Sequence, residues 1–190
     1  PLGPNQGRGV ASGFWFNIGG DTCANINVSE DGTVNLALGT PDIGGSRASM
    51  GMMVAEELGI DVSNVRPFIA DTASLGYTFL TGGSRATYSS GMASVEAARK
   101  VIEDMRARAA KTWDIPIEAV EWDEGHARPA SSNAGEFEPL SFADIARTMG
   151  KTGGPIVGTA ALNAQGAGPS FAAHLVDAEA AHSLNVDAVV

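Results

Sequence analysis

The chain has few of the residues that build covalent or strongly basic sites. Cys23 is its single cysteine among 190 residues, which excludes an intrachain disulfide, a thiolate zinc site and an iron–sulfur cluster held by this chain alone. We expect Cys23 to be a small buried strand residue. Lys and Arg number 12 against 22 Asp and Glu, and the formal net charge of −10 argues against nucleic acid or an anionic membrane surface as the main partner.

Long apolar runs are also missing. A transmembrane helix needs about 18 or more consecutive apolar residues, and no segment reaches that length, so we expect a soluble chain. The chain starts without methionine, and residues 1–8 are rich in Pro, Gly and Asn without the apolar run of a signal peptide. This segment resembles a linker from a preceding domain, and we therefore expect the chain to be part of a longer protein.

Glycine, by contrast, is abundant, with 24 copies, and residues 9–38 have a β pattern. The patterns at 10–16, 22–28 and 33–38 predict strands. The second and third runs alternate apolar and polar residues, and Asp31-Gly32 between them is a strong hairpin signal. We expect an antiparallel meander of three strands.

Helical spacing of apolar residues then predicts two main helices, at 47–58, ended by Gly59, and at 90–112. Pro67 indicates that the strand at 65–70 is an edge strand or begins there. The fold class expected is α/β (α+β): one mixed sheet with an antiparallel meander and packed helices. The other predicted elements are strands at 119–123, 156–162 and 171–176, a polar loop at 125–138 and a Ser141-capped helix at 141–149.

The segment at 81–91, here called the second glycine loop, runs into the stronger helix. Glycines let the backbone approach a ligand, hydroxyls donate hydrogen bonds, and a helix start favours an anion such as phosphate. The loop is neither a Walker loop nor a dinucleotide fingerprint. An ordinary serine-capped helix after a flexible loop accounts for the pattern equally well. Its candidate ligand residues are Gly82, Gly83, Ser84, Arg85 and Thr87.

The segment at 42–49, the first glycine loop, has the same kind of composition and also opens a helix. Its candidates are Gly44, Gly45 and Ser46. Such a connection is commonplace alone, but two in one chain are better evidence for an anion site. Arg47 and Arg85 are candidates to neutralise a phosphate, with an exposed loop position as the alternative.

No metal site is expected from the histidines, because His126, His174 and His182 lack the spacing of metal ligands.

The order of several short motifs resembles a known family. Over roughly residues 7 to 178 the chain is similar to the molybdopterin-binding large subunit of the xanthine dehydrogenase, aldehyde oxidase and aerobic carbon monoxide dehydrogenase family. The motifs that carry this resemblance are Gly7-Arg8-Gly9-Val10-Ala11, Asp31-Gly32, Pro41-Asp42-Ile43-Gly44-Gly45, Ala55-Glu56-Glu57-Leu58-Gly59-Ile60 and Gly82-Gly83-Ser84-Arg85-Ala86-Thr87.

The resemblance implies a domain at 9–179 that binds molybdenum–molybdopterin, often extended by cytosine dinucleotide, and a tail at 180–190 that departs from the pattern. It implies a parent enzyme that hydroxylates a C–H bond of a small-molecule substrate, or oxidises CO, with water as the oxygen source. Electrons would leave through iron–sulfur clusters and FAD on other domains or subunits. The location implied is cytoplasmic, with export of the folded holoenzyme as the alternative.

Residue by residue, the resemblance assigns cofactor contacts to both glycine loops. Where the family's first cofactor loop reads Gly-Gln-Gly, this chain has Gly44-Gly45-Ser46, so backbone N–H groups or Ser46 would replace the glutamine amide. The family's catalytic glutamate lies downstream and its metal-side loop upstream. We therefore expect no catalytic residue and no metal ligand here, a cofactor shared with the other molybdopterin-binding half, and an isolated chain that neither retains the cofactor nor turns over.

Three alternatives stay open at this point. Residues 165–168 are a weaker third cofactor candidate, for which a surface turn is the alternative. The whole chain is alternatively a non-catalytic binding domain for a nucleotide or other phosphorylated ligand. In a purely structural domain, finally, both glycine loops would only cap helices.

Overall fold

The structure, a computed structural model, describes residues 2–71, 73–166 and 168–180. The predicted tail at 180–190 therefore lies, from 181 onward, outside the described residues. The chain divides into a larger unit at 18–167 and a smaller one formed by its two ends. In chain order the elements are β1 (Gln6–Trp15), β2 (Gly20–Val28), β3 (Val34–Leu38), α1 (Ser46–Leu58), β4 (Val65–Ile69), α2 (Ala86–Trp113), β5 (Val120–Asp123), β6 (His126–Pro129), β7 (Leu140–Ser141), α3 (Phe142–Arg147), α4 (Met149–Thr152), β8 (Ile156–Ala164) and β9 (Ser170–Glu179).

The larger unit contains a mixed four-stranded sheet in the order β4-β3-β2-β8. Strands β2 and β3 form the predicted antiparallel hairpin. Asp31 stabilises its turn, because the carboxylate accepts a hydrogen bond from the Thr33 N–H at 2.9 Å. Strand β4 lies parallel to β3 at the edge of the sheet, which confirms the inference drawn from Pro67. The fold class is thus the mixed α/β class expected.

Helix α1 connects β3 to β4 and ends at Gly59, as predicted. Helices α1 and α2 pack against each other and against the sheet. Gly158 of β8 permits a close approach to α2, since a Cβ there would collide with the Ala97 carbonyl. The largest fully buried apolar side chains of this core are Ile26, Leu36, Leu38, Met50, Leu58, Met105 and Ile156.

Helix α2 begins at Ala86, four residues before the predicted start at 90. The four residues that the prediction assigned to the loop are Ala86, Thr87, Tyr88 and Ser89, and three of them have a lower helix propensity than alanine. Packing against α1 outweighs that propensity: a Cβ on Gly91 would lie 2.7 Å from the Met53 sulfur, so small residues let the two helices approach closely. Ser89 and Ser90 are buried beside it.

A small antiparallel sheet of β5, β6 and β7 accompanies α3 and α4. The prediction of a loop over 125–138 is wrong at 126–129, because these residues form β6. This strand pairs with β5 after a turn at Glu124 and Gly125. Helix α3 has the predicted cap, because the Ser141 hydroxyl accepts from the Asp144 N–H at 3.1 Å. Cys23 is buried in β2, as expected.

The smaller unit is an antiparallel ribbon of β1 and β9. The prediction that β1 belongs to a three-stranded meander is therefore wrong, as is the placement of β9 in the mixed sheet. Strand β2 already has β3 on one side and β8 on the other, which leaves no edge for β1. Arg8 and Asp177 form a bidentate ion pair across the ribbon at 2.6 and 2.7 Å. Strand β1 starts at Gln6, inside the segment predicted as a linker.

Among the described residues, no helix has the length and apolar character needed to cross a bilayer.

Candidate functional site

Both glycine loops leave the same edge of the mixed sheet. Residues 39–45 join β3 to α1, and residues 70–85 join β4 to α2. Strands β3 and β4 are parallel neighbours, with Leu38 opposite Ile69, so their carboxyl ends lie side by side. Ligands in open α/β sheets bind outside the carboxyl ends of the strands. The topology thus brings together two segments that lie 38 residues apart at Gly44 and Gly82 in the sequence.

A cleft of about 420 Å³ lies between the two loops. This volume falls within the range of small-molecule sites, roughly 300–1,000 Å³. The cleft brings together one candidate from the first glycine loop and four from the second. Its lining residues are Ile43, Ser46, Thr81, Gly82, Ser84, Arg85, Ala86 and Thr87.

The same five residues, Gly-Gly-Ser-Arg-Ala, occur at 44–48 and at 82–86. Each copy contains two consecutive residues with left-handed backbone just before a helix. They are Gly44 and Gly45 in the first copy, with φ of 55° and 81°, and Gly83 and Ser84 in the second, both with φ of 57°. The left-handed pair is thus shifted by one residue between identical sequences. For Ser84 this conformation costs about 1–2 kcal/mol, a strain common at functional sites.

The start of α1 already has a carboxylate. Asp42 accepts a hydrogen bond from the Arg47 N–H at 3.0 Å, and its second oxygen lies 3.4 Å from the Arg47 Nε. The Ser46 hydroxyl accepts from the Ile43 N–H at 3.2 Å and is buried. Arg47 therefore pairs with a neighbour on the surface, and the helix start carries negative charge from its own chain.

The start of α2 differs. Among the described residues, no side chain caps this helix, whose N-cap residue is Arg85. The first N–H groups of a helix have no intrahelical acceptor, and the helix dipole favours an anion there. Thr87 lies exposed in the first turn, and Ser84 lies exposed just before it. This end of the cleft is the better place for an anionic group.

Arg85 is completely buried, although it contributes to the wall of the cleft. Its Nε donates to the Gly19 carbonyl, one Nη to those of Phe79 and Leu80 at 2.8 and 3.1 Å, and the other Nη to that of Asp21 at 2.5 Å. The guanidinium carbon lies 5.6 Å from the centre of the Phe79 ring. Four of its five N–H groups thus bind main-chain carbonyls, an arrangement that differs from the predicted phosphate contact.

Burial lowers the pKa of the Arg85 guanidinium, and the negative charge of Asp21 opposes that shift. Arginine keeps its proton in proteins, so a positive charge lies beneath the cleft.

Two further contacts hold the second glycine loop in place, and sequence reasoning missed them. The hydroxyl of Thr40, beside the first glycine loop, lies 3.4 Å from that of Thr81, the first residue of the second. The Ile18 N–H donates to the Gly83 carbonyl at 3.2 Å. The sequence shows a threonine near each Gly-Gly-Ser-Arg-Ala motif, but only the fold shows that the two threonine hydroxyls lie close together.

Of the third candidate, residues 165–168, the structure places Gln165 near the site, where its carbonyl accepts from the Tyr88 hydroxyl at 2.6 Å. Ala167 lies outside the described residues. In the described part of the chain, no cluster of His, Cys, Asp and Glu could hold a metal ion. His182 is not among the described residues.

A mixed sheet whose parallel strands end in two glycine loops around one cleft is an α/β domain with a candidate ligand site. Over residues 4–187 the sequence matches the family described as the molybdopterin cofactor-binding domain, so the chain belongs to that family. The resemblance drawn from the motifs is thereby confirmed. Family membership does not support the alternative of a domain for nucleotides or other phosphorylated ligands.

Solved structures show the same fold. The Cu,Mo-CO dehydrogenase in its carbon monoxide reduced state is 21% identical, with a TM-score of 0.80 over 90% of this chain and 24% of that one. A reconstituted CO dehydrogenase from Oligotropha carboxidovorans is 21% identical, with a TM-score of 0.78 over 90% and 23%. Quinoline 2-oxidoreductase from Pseudomonas putida 86 is 16% identical, with a TM-score of 0.75 over 91% and 24%. This chain therefore spans about a quarter of the length of these proteins.

The cleft fits part of a molybdopterin cofactor. The cofactor is anionic through its phosphate and presents hydrogen-bonding edges through its pterin. Hydroxyls of Ser84 and Thr87 and the start of α2 suit the anionic part. Gly44, Gly45 and Gly83 are not among the residues that line the cleft. A Cβ on Gly44 or Gly45 would meet no described atom within 4 Å, so the main chain there is exposed.

Proposed function

We propose that this chain supplies cofactor contacts to a molybdenum hydroxylase, an oxidoreductase that hydroxylates a C–H bond of a small molecule, or oxidises CO, with water as the oxygen source. The main support is that two glycine loops of the family pattern form one cleft beside the uncapped start of α2. The cytosine dinucleotide form of the cofactor is the form proposed, since its pyrophosphate suits this helix start.

When bound, molybdenum–molybdopterin supplies the redox chemistry of the reaction. The residues of this chain bind and orient it. Gly82, Gly83, Ser84 and Thr87 hold the cofactor from the second glycine loop through N–H and hydroxyl donors. Gly44, Gly45 and Ser46 contribute open backbone and a hydroxyl from the first. No proton transfer is assigned to this chain, because the catalytic glutamate is expected outside it.

The complete protein needs more than this chain. The cofactor-binding domain is proposed at 9–179, and the other molybdopterin-binding half completes the site. Iron–sulfur clusters and FAD on other domains or subunits carry the electrons away, in a cytoplasmic complex. In isolation the chain neither retains the cofactor nor turns over; stoichiometric molybdenum in the purified 190-residue chain would contradict this.

The test is the double substitution Ser84→Ala with Thr87→Val in the full-length protein. Loss of hydrogen bonds to a charged group costs about 1.5–3 kcal/mol each, so loss of both should lower cofactor affinity about 100-fold or more. The readouts are molybdenum per subunit and pterin released on denaturation.

Thr112→Val is the matched control. Its hydroxyl lies at the other end of α2 and donates to the Arg108 carbonyl at 2.8 Å. Unchanged molybdenum content in the double variant would instead favour a structural domain whose loops only cap helices.

A further inference from the structure

The geometry points to a positioning role for Arg85: its buried guanidinium shapes the second glycine loop from beneath and does not act as a phosphate ligand. The consequence for cofactor retention rests on the proposed function, whereas the consequence for loop structure does not. Three observations carry the inference.

The first is where the acceptors come from. Gly19 and Asp21 lie at the start of β2, 66 and 64 residues away in sequence, whereas Phe79 and Leu80 immediately precede the second glycine loop. One planar side chain therefore joins two distant segments. The Phe79 N–H also donates to the Asp21 carbonyl at 2.9 Å, so main-chain and side-chain contacts reinforce the same junction.

The second is the direction of the donors. An arginine that binds phosphate presents two parallel N–H groups to it. Here four of the five N–H groups bind carbonyls, the side chain is 0% exposed, and the Phe79 ring lies against it. Turning the guanidinium toward the cleft would break these four hydrogen bonds, each of which involves a charged donor.

The third is the internal comparison with Arg47, which follows the same Gly-Gly-Ser. Arg47 lies in the first turn of α1 with its side chain 48% exposed. Arg85 instead is the N-cap residue of α2, directly after the left-handed Ser84. Anchoring Arg85 inward thus fixes the backbone that presents Ser84 and Thr87 to the cleft.

The electrostatic consequence is a positive charge one layer below the proposed anion site. Among the described residues, no carboxylate forms an ion pair with Arg85, and the Asp21 side chain is held by the Asn163 amide at 2.6 Å. A buried charge without a direct counterion favours an anion nearby without touching it.

The experiment compares Arg85→Lys with Arg47→Lys in the full-length protein. Lysine keeps the charge, but its three N–H donors lie on one nitrogen and cannot replace the four hydrogen bonds of the planar guanidinium. Amide hydrogen exchange in Arg85→Lys should rise about tenfold or more at 18–21 and 79–84, and stay unchanged in β5 and β6. Molybdenum per subunit should fall several-fold, whereas Arg47→Lys should match the wild type in both readouts.

Chemical rescue separates positioning from general packing. In Arg85→Ala, added methylguanidinium should restore protection at 18–21 and 79–84 and recover molybdenum loading, because the four carbonyl acceptors remain. Lack of restoration would overturn the proposal. A wild-type exchange pattern in Arg85→Lys would also overturn the proposal, because it would mean that Arg85 acts only through its charge.

Loss of protection throughout Arg85→Lys, β5 and β6 included, would also overturn it, since Arg85 would then stabilise the fold in general. A wild-type protein without molybdenum would remove the proposed function, yet the exchange measurement would still decide whether Arg85 shapes the loop.

Discussion

The two glycine loops share the sequence Gly-Gly-Ser-Arg-Ala but differ in where the following helix begins. Helix α1 begins at Ser46, the third residue of the first copy, and α2 at Ala86, the fifth residue of the second. This shift turns one arginine outward to Asp42 and the other inward to four carbonyls. The structural surroundings of the motif, and not its sequence, therefore decide whether the arginine side chain faces the surface or the core.

The largest difference is expected between Arg85→Met and Arg47→Met. Removing the Arg85 guanidinium breaks its four hydrogen bonds to main-chain carbonyls and should cost about 3–5 kcal/mol of unfolding free energy. Arg47 is half exposed with one ion pair at 3.4 Å, and its removal should cost about 0–1 kcal/mol. Urea unfolding of both variants measures the difference. Equal losses of unfolding free energy would show that the two arginines contribute equally to stability.

A smaller difference is expected between Gly83→Ala and Gly45→Ala. Both glycines have left-handed backbone, which costs an alanine about 1–2 kcal/mol. A Cβ on Gly83 would also lie 2.7 Å from the Ile18 side chain, whereas one on Gly45 would meet no described atom within 4 Å.

We therefore expect a loss of about 2–3 kcal/mol for Gly83→Ala and about 1 kcal/mol for Gly45→Ala, measured by thermal or urea unfolding. If Gly45→Ala proved the more harmful variant, the first glycine loop would be the more constrained of the two.

Asp42→Asn makes the first glycine loop resemble the second by removing the carboxylate at the start of α1. Stability should fall by about 0.5–1 kcal/mol, because an amide is a weaker partner for Arg47 and for the helix dipole. Binding of inorganic pyrophosphate to the cofactor-free full-length protein should strengthen about 2- to 5-fold, as judged by thermal shift.

Asp61→Asn is the matched control for that change. Asp61 accepts from the Ser63 N–H at 2.8 Å in a short 3-10 turn and does not line the cleft. It should lose stability without any change in pyrophosphate binding. An equal gain in both variants would attribute the effect to net charge alone.

Features set by local sequence were predictable. The Asp31-Gly32 hairpin, helix α1 with its end at Gly59, and the edge position of Pro67 all follow from residues within one or two turns. The pairing of β1 with β9 joins Gln6 to Glu179 across nearly the whole chain, and no local pattern specifies it. The early start of α2 brings Ala86 to Ser89 into the helix, although three of these four residues have a lower helix propensity than alanine.

The site divides in the same way. Composition predicted two anion-favouring loops, and their motifs indicated the family. That they form one cleft follows from the parallel pairing of β3 with β4, which the sequence pattern did not specify. The inward direction of Arg85 depends on Gly19 and Asp21, more than sixty residues away, and so could not be predicted from the loop itself.

The smallest expected effect concerns acid and the segment that leads from β4 to the second glycine loop. Hydrogen bonds from the N–H of Ala73 and from Ser74 hold the pKa of the Asp71 carboxyl below its ordinary value. Because the folded-state pKa is depressed, the contribution of Asp71 is present above the ordinary pKa, near 3.8, and is lost as the pH falls through the lower folded-state value.

Exchange of the Ala73 and Ser74 amides, followed between about pH 5 and pH 2, should therefore show this turn loosening only below the ordinary carboxyl range. Asp71→Asn removes the titrating group and should abolish the pH dependence of that local protection. A midpoint at or above the ordinary Asp pKa would mean that the turn does not stabilise the ionised carboxylate.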